Sequence, residues 1–159
     1  MSTIEVRKIR RGEEIELWKL FYNTIHNINS RDYSESQIAA WAPKDFDVEV
    51  AIKKFREIDP FVAIKDGIIV GYADIQNDGY IDHFYCHHEY QGQGVGKTLF
   101  SVLEHEVLKN GIMYMYSNVS ITARPFFDKM GFRVEKEQLV QVRGEQLKNY
   151  RMVRGHESS

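Results

Sequence analysis

The amino-acid sequence predicts an α/β fold with a mixed, twisted sheet of about seven strands and helices on both sides. Short apolar and β-branched runs end at glycine-containing turns, which is typical of strands joined in hairpins. Longer stretches repeat apolar residues at helical spacing. Residues 80–118 read as strand, helix and strand in succession, which predicts a crossover between two parallel strands.

Each element follows from its own local pattern. Residues 4–9 alternate apolar and charged side chains, as a half-buried strand does. The second of three helices begins with a capping box from Ser34 to Gln37, and Asp47 caps the third. Asp66-Gly67 predicts a tight hairpin turn. The predicted strands are residues 4–9, 61–65, 68–75, 80–86, 112–118, 132–142 and 146–153, and the predicted helices are residues 12–29, 35–41, 48–58, 94–109 and 121–130.

Length and composition limit the classes of protein. The chain has 159 residues, which suits one domain over residues 1–154, and residues 155–159 are expected to be a disordered tail. The net charge of −2 argues against nucleic acid or an anionic membrane surface as a partner. The sequence shows no signal-peptide or membrane-spanning pattern, and Cys86 is its single cysteine. These features predict a cytoplasmic protein.

The most informative stretch joins the predicted strand at residues 80–86 to the helix that follows it. The connecting loop consists of Gln91, Gly92, Gln93, Gly94, Val95, Gly96 and Lys97. Glycines lack Cβ atoms, so their main-chain N–H groups can approach a ligand closely. The unpaired N–H groups at the start of a helix favour an anion. The stretch therefore predicts a phosphate or pyrophosphate site.

Spacing separates the families that use such a loop. A Walker A loop would need glycine where the sequence has Gln91, although Gly96-Lys97-Thr98 supplies its end. A dinucleotide fingerprint would need its third glycine at Lys97. The pattern Gln/Arg-x-x-Gly-x-Gly/Ala fits at Gln91, Gly94 and Gly96, and it resembles the acyl-CoA pyrophosphate loop of the GNAT N-acetyltransferase superfamily. A nucleotide-phosphate-binding protein is the alternative interpretation.

A second motif supports the same resemblance. Residues 120–132 are similar to the GNAT segment Asn-x-x-Ala-x-x-Phe-Tyr-x-x-x-Gly-Phe. The matching positions are Ala123, Phe126, Gly131 and Phe132, and the departures are Ser120 and Phe127. The resemblance extends over roughly residues 4–153 and is to small bacterial members of the superfamily.

The resemblance implies a reaction and a co-substrate. GNAT enzymes transfer an acetyl group from acetyl-CoA directly to a primary amine, so the expected partner is a small-molecule or peptide amine, and the expected assembly is a monomer or homodimer. No metal is expected. The loop from Gln91 to Lys97 would hold the pyrophosphate. The main chain of Phe84, Tyr85 and Cys86 would bind the pantetheine arm as an added strand, with Asn118 and Phe126 flanking it.

Candidate catalytic groups follow from the same resemblance. The main-chain N–H of Cys86 would stabilise the oxyanion of the tetrahedral intermediate. Asp82 and His83 are rival bases for the acceptor amine, and the sequence does not decide between them. Family members often use a tyrosine as the general acid where this chain has Phe127. Tyr116 is the candidate replacement, with Tyr114, Tyr150 and water as alternatives. An acyl-cysteine mechanism through the Cys86 thiol is a further alternative.

The remaining candidates concern the acceptor and a metal. Tyr33 and Trp41 lie in the helical region that builds one wall of the acceptor site in GNAT folds, although Trp41 could equally fill the core. The cluster His83, Cys86, His87 and His88 does not present its side chains on one strand face, which argues against a metal site. A catalytically weak CoA-binding sensor or interaction module is the alternative function from another class.

Overall fold

The computed structural model describes residues 3–155, which form the α/β fold that the sequence predicts. Gly155 ends the last strand, and residues 156–159 of the predicted tail lie outside the described residues. A short 3-10 turn at Asn29–Arg31 follows α1. The strands are β1 Glu5–Lys8, β2 Phe61–Lys65, β3 Ile68–Ala73, β4 Tyr80–Ile81, β5 Phe84–Cys86, β6 Tyr114–Ser120, β7 Arg133–Val142 and β8 Glu145–Gly155, and the helices are α1 Glu14–Asn27, α2 Glu35–Trp41, α3 Val48–Ile58, α4 Val95–Lys109 and α5 Arg124–Lys129.

The strands form two four-stranded sheets. One has the order β1-β2-β3-β5 and is antiparallel throughout. The other has the order β4-β6-β8-β7, in which β4 and β6 run parallel and the remaining pairs are antiparallel. The antiparallel hairpin of β2 and β3 and the parallel pairing across the α4 crossover are both as the sequence predicts. Within residues 3–155, no helix is long and apolar enough to cross a membrane.

The predicted central strand is not continuous, and this is the main correction to the sequence-based fold. It divides at Asp82 and His83, where the buried carboxylate of Asp74, and not a main-chain carbonyl, accepts from both main-chain N–H groups. The Oδ1 atom of Asp74 accepts hydrogen bonds from Asp82 N at 3.0 Å and from His83 N at 2.6 Å. Beyond this point β5 pairs with β3, while β6 pairs with β8. The two halves therefore separate and leave an opening between β5 and β6.

Helix α4 packs closely on the first sheet because β3 carries a glycine beneath it. A Cβ atom on Gly71 would lie 2.8 Å from Val95 Cγ1 and 3.0 Å from Leu99 Cδ1. Val95 and Leu99 belong to the main hydrophobic core, which also contains residues of β6 and β8. The core thus joins both sheets, and it fixes the N-terminus of α4 beside the opening.

Local sequence signals place several boundaries correctly. Asp66 and Gly67 both have positive φ angles, 53° and 76°, as a two-residue hairpin turn requires. The capping box from Ser34 to Gln37 is present, and the Asp47 side chain caps α3. The fifth helix begins at Arg124, three residues later than predicted.

Candidate active site

The opening between β5 and β6 continues into a cleft of about 390 Å³. Its walls come from α1 and α2 on one side, from the β7–β8 hairpin on another and from α5 beyond β6. Most of the sequence-predicted site residues line it: Tyr33, Trp41, Asp82, His83, Phe84, Tyr85, Cys86, Gln91, Asn118 and Phe126. The cleft is therefore where the predicted cofactor and acceptor sites meet.

Main-chain groups of β5 face the opening. Asp74 N donates to His83 O at 3.1 Å, and His87 N donates to Val70 O at 2.8 Å. The main-chain N–H and C=O groups of the odd-numbered residues in this segment therefore point toward β3. Because main-chain directions alternate along a strand, the N–H groups of Phe84 and Cys86 point the other way, toward β6. The Cys86 N–H therefore faces the opening, and its predicted role as the oxyanion donor stays a prediction. The main-chain groups of Tyr85 face β3, which argues against the main-chain role predicted for this residue, although Tyr85 lines the cleft.

The glycine loop adopts the geometry expected of an anion site. Gly92 and Gly94 have φ angles of 74° and 83°, in the left-handed region that favours glycine. A Cβ on either would meet no atom within 4 Å, so the loop surface is open there. Gly94 is the N-cap of α4, and no side chain caps the helix. The first N–H groups of α4, at Val95 to Lys97, are therefore available to a ligand.

The two glutamines of the loop have structural partners. The Nε2 atom of Gln91 donates to Cys86 O at 2.9 Å and to His87 O at 3.2 Å, which ties the loop to the end of β5. The Oε1 atom of Gln93 accepts a bond from Lys65 Nζ at 2.9 Å. Lys65 adds a positive charge to the loop, a contribution that sequence spacing did not suggest.

Gly96 serves a different purpose from the other loop glycines. A Cβ there would lie 3.0 Å from Phe126 Cε1 and 3.5 Å from Cys86 Sγ. The ring of Phe126 in turn packs against Phe84, with the ring centroids 5.2 Å apart. Gly96 thus allows α4, α5 and β5 to meet closely at the edge of the opening.

Asp82 lies at the strand break and lines the cleft. Lys54 of α3 donates to Asp82 Oδ2 at 2.6 Å, and the Asp82 side chain is 25% exposed. Burial lowers the pKa of Lys54, but its hydrogen bond to Asp82 and the attraction between the charges outweigh burial and raise it overall. Asp82, one of the two candidate bases, therefore has a cation as its partner, which the sequence did not indicate.

His83 is enclosed by aromatic rings. Phe21, Phe55, Tyr72 and Tyr85 all have ring centroids within 6 Å of its imidazole. The Tyr72 hydroxyl lies 2.9 Å from His83 Nδ1. Burial lowers the pKa of His83 to about 4, although the Asp82 charge opposes this. The imidazole is therefore neutral at pH 7, and it is a weaker base than an ordinary histidine.

Tyr116 does not line the cleft, so the geometry does not support its predicted role as the general acid, which stays a prediction. It lies on β6, where its hydroxyl donates to the Asp78 carboxylate and Arg151 lies over its ring. That hydrogen bond, with a smaller effect of burial, raises the pKa of Tyr116 to about 12.

Phe127 is 2% exposed and packs in the core. Tyr80 does line the cleft, and Asn118 Nδ2 lies 3.4 Å from its hydroxyl. Sequence reasoning overlooked this phenol.

The thiol of Cys86 is poorly suited to nucleophilic attack. Burial raises its pKa to about 12, so almost all of it is protonated at neutral pH. Its carbonyl oxygen accepts hydrogen bonds from Thr24 Oγ1 at 3.0 Å and from Gln91 Nε2 at 2.9 Å. The geometry thus favours a role for the main chain of Cys86 rather than for its sulfur.

The predicted acceptor residues form one wall of the cleft. The Tyr33 hydroxyl donates to Lys148 O at 2.6 Å and accepts from Ile121 N at 2.9 Å, so it joins the α2 region to β8 and to the loop between β6 and α5. Its ring meets Trp41 edge-on, with centroids 5.4 Å apart. Because both bonding directions of the Tyr33 hydroxyl are used, its contribution to the cleft is apolar.

The histidines beside the cleft do not form a metal site in the described part of the chain. Between residues 3 and 155, no group of three or more His, Cys, Asp or Glu side chains is placed to hold an ion. His87 and His88 stack on each other, with centroids 4.7 Å apart. That the reaction needs no metal stays a prediction.

Comparison with known proteins decides the family. The family model for the acetyltransferase (GNAT) domain matches residues 29–154.

The chain belongs to the GNAT family.

Relatives of this GNAT chain match it along nearly its whole length. It is 30% identical over 152 residues to the uncharacterized N-acetyltransferase YafP of Escherichia coli K12, covering 96% of each chain. A GCN5-related N-acetyltransferase from Rhodopseudomonas palustris has 29% identity and a TM-score of 0.92 over 98% of both chains. The PaiA N-acetyltransferase of Thermoplasma acidophilum, solved with coenzyme A, shares the fold at 22% identity and a TM-score of 0.74, covering 97% of this chain and 99% of that one. This GNAT chain is accordingly an N-acetyltransferase.

Proposed function

We propose that this GNAT enzyme transfers the acetyl group of acetyl-CoA directly to a primary amine of a small molecule or peptide. The observation that carries the proposal is the opening between β5 and β6, which presents the N–H groups of Phe84 and Cys86 beside a glycine loop at the N-terminus of α4. An extended arm with amide groups fits the first feature, and a pyrophosphate fits the second.

The co-substrate would lie along this path. The pyrophosphate would bind the N–H groups at the start of α4, near Lys65, and the pantetheine arm would continue along β5. The rings of Phe84 and Phe126 would cover its apolar part, and Asn118 would flank it from β6. The T. acidophilum relative contains coenzyme A; its likeness supports the fold, whereas the loop geometry supports the site in this chain.

The acetyl transfer then requires one bond to form and one to break. The neutral amine attacks the thioester carbonyl carbon, and the oxyanion that develops accepts a hydrogen bond from Cys86 N–H. The C–S bond breaks, and the electron pair leaves with the sulfur. A thiol with a pKa of about 8.5 leaves without a strong acid, which is consistent with Phe127 where many family members have tyrosine.

The proton of the amine would go to a group at the strand break. Asp82 and His83 both line the cleft, and both remain candidates. The hydroxyl of Tyr72 is fully buried and would be left without an acceptor unless it donates to His83 Nδ1. In that arrangement His83 Nε2 carries hydrogen, so Asp82 is the group better placed to accept the proton, directly or through water.

A pair of variants at Gly94 tests the cofactor site. Gly94→Glu and Gly94→Gln both place a side chain at a φ of 83°, so both strain the loop, but only the first adds a negative charge beside the pyrophosphate. Calorimetry with coenzyme A should show weaker binding to both variants, with Gly94→Glu weaker than Gly94→Gln by at least about tenfold at low salt. Equal affinities for both variants and the unmodified enzyme would remove the loop as the pyrophosphate site.

One departure favours a second candidate function. Phe127 is buried in the core where a tyrosine acid is usual, so the chain could bind CoA as a sensor with little catalysis. Thiol release from acetyl-CoA across a broad panel of amines separates the two functions. Tight acetyl-CoA binding with no release from any amine would favour the sensor.

A further inference from the structure

The acceptor end of the cleft is apolar and carries few charges. Its walls there are the rings and aliphatic side chains of Phe21, Ile28, Tyr33, Trp41, Val140, Val142 and Leu147. Leu147 is buried, and it packs with Tyr33, Trp41, Val140 and Val142 in one hydrophobic cluster. A ligand that fills this end of the cleft must therefore present apolar surface to it.

The charged side chains that line the cleft already have partners. Asp82 is paired with Lys54 at 2.6 Å, and Lys148 is paired with Glu137 at 2.8 Å. No carboxylate without an ion-pair partner lines the cleft among the residues that the structure describes. A second positive charge on the acceptor would thus be desolvated there with nothing to offset it. This argues against polyamines and lysine-rich peptides.

One polar atom at this end of the cleft lacks a partner. The side-chain Oδ1 of Asn149 is buried and accepts no hydrogen bond from any residue that the structure describes. Asn149 lies on β8, where it pairs with Ser120 of β6. Ser120 comes three residues after Ser117, the last residue of β6 that pairs with β4. Asn149 therefore sits where the apolar wall meets the opening that would contain the thioester. A buried carbonyl oxygen in this position needs an N–H or O–H donor.

We propose that the acceptor is a primary amine on an uncharged apolar or aromatic group, and that Asn149 Oδ1 accepts a hydrogen bond from its amine N–H. This inference rests on the proposed acetyl transfer. A neutral amide oxygen suits the task, because it orients the amine without stabilising the ammonium form as a carboxylate would. The apolar wall would hold the rest of the acceptor, and Asn149 would direct the nitrogen lone pair toward the thioester.

The substrate class is tested with two amines that differ by one charge. Hexylamine and 1,6-diaminohexane have the same carbon chain, and the second carries an additional terminal ammonium. The wild-type enzyme should use hexylamine with a kcat/KM at least about tenfold higher, measured as thiol release from acetyl-CoA. A preference for the diamine, for spermidine or for a basic peptide would overturn the inference and leave acetyl transfer intact.

The role of Asn149 is tested with two substitutions. Asn149→Leu should raise the KM for hexylamine by about tenfold, the effect of one hydrogen bond, and leave the Kd of acetyl-CoA unchanged by calorimetry. Asn149→Asp should stabilise the ammonium form of the reacting amine and move the pH dependence of kcat/KM for hexylamine to higher pH, an effect that a purely structural residue would not produce. Gln141→Leu is the matched control, because Gln141 is exposed on the same hairpin and does not line the cleft.

The possible outcomes distinguish a failure of this inference from a failure of the proposed acetyl transfer on which it rests. If Asn149→Leu leaves the KM unchanged while the protein folds as judged by its urea transition, Asn149 does not hold the amine. If acetyl-CoA binds but no amine in the panel releases the thiol, the proposed transfer fails and this inference fails with it.

Discussion

Replacing Asp74 by asparagine should remove part of the pH dependence of the free energy of unfolding. Asp74 is completely buried, and its carboxylate accepts bonds from Asp82 N, His83 N and Gln76 Nε2. Burial raises the pKa of Asp74 from 3.8 to about 6, and the hydrogen bonds oppose this only in part. The folded protein therefore holds a proton on Asp74 at pH values where the unfolded chain has lost it.

The magnitude follows from the size of the pKa shift. One unit corresponds to about 1.4 kcal/mol, so the shift is worth about 3 kcal/mol in the free energy of unfolding. Because the folded pKa is raised, this stability is present below the unfolded pKa and is lost as pH rises through about 6. Roughly 2 kcal/mol of the loss should fall between about pH 4 and pH 7. The amide of Asp74→Asn does not titrate and should not show this loss.

Urea unfolding of both proteins at several pH values provides the measurement. The free energy of unfolding of the wild type minus that of Asp74→Asn should fall steadily as pH rises. Asp78→Asn supplies a control of opposite sign, because the Tyr116 hydroxyl lowers the pKa of Asp78 and burial only partly opposes it. If the difference between wild type and Asp74→Asn stays constant with pH, Asp74 is not a buried carboxylate, and the explanation of the strand break is wrong.

Further predictions concern the groups around the opening. Asp82→Asn should lower kcat by about 10²-fold or more and leave the Kd of acetyl-CoA unchanged. His83→Gln should lower kcat by less, and a larger loss of kcat in His83→Gln than in Asp82→Asn would make His83 the base. Gly96→Ala should lower the free energy of unfolding by about 1 kcal/mol because Phe126 must move, and an unchanged urea midpoint would contradict the packing. Because the pKa of Cys86 is raised, about one Cys86 side chain in ten thousand is a thiolate at pH 8. Iodoacetamide should therefore inactivate the enzyme very slowly. Rapid alkylation of Cys86, measured by mass spectrometry, would restore the acyl-cysteine alternative.

The sequence predicts those features that depend on neighbouring residues. The capping box at Ser34, the hairpin turn at Asp66-Gly67 and the helix over Val48–Ile58 all follow from local chemistry, and the structure confirms them. The glycine loop is equally local, because the positive φ angles of Gly92 and Gly94 are conformations that other residues resist.

The features that the sequence does not predict depend on residues distant in the chain. The sequence predicts one strand over residues 80–86, because nothing near them shows that the Asp74 side chain accepts hydrogen bonds from the main-chain N–H groups of Asp82 and His83. Lys54 reaches Asp82 from a helix 28 positions away. Tyr116 is a candidate acid because it is a tyrosine on the same strand as Asn118, and nothing near it in the sequence shows that its hydroxyl bonds Asp78, 38 positions away.

The break at Asp82 and His83 leaves the N–H groups of Phe84 and Cys86 facing the opening toward β6. Along β5, hydrogen exchange should alternate, with the Tyr85 and His87 amides protected by β3 and the Phe84 and Cys86 amides exchanging quickly. An arm that adds to this edge as a strand would slow the fast pair and leave the slow pair unaffected. Two amide signals would then report whether the exposed edge of β5 is occupied.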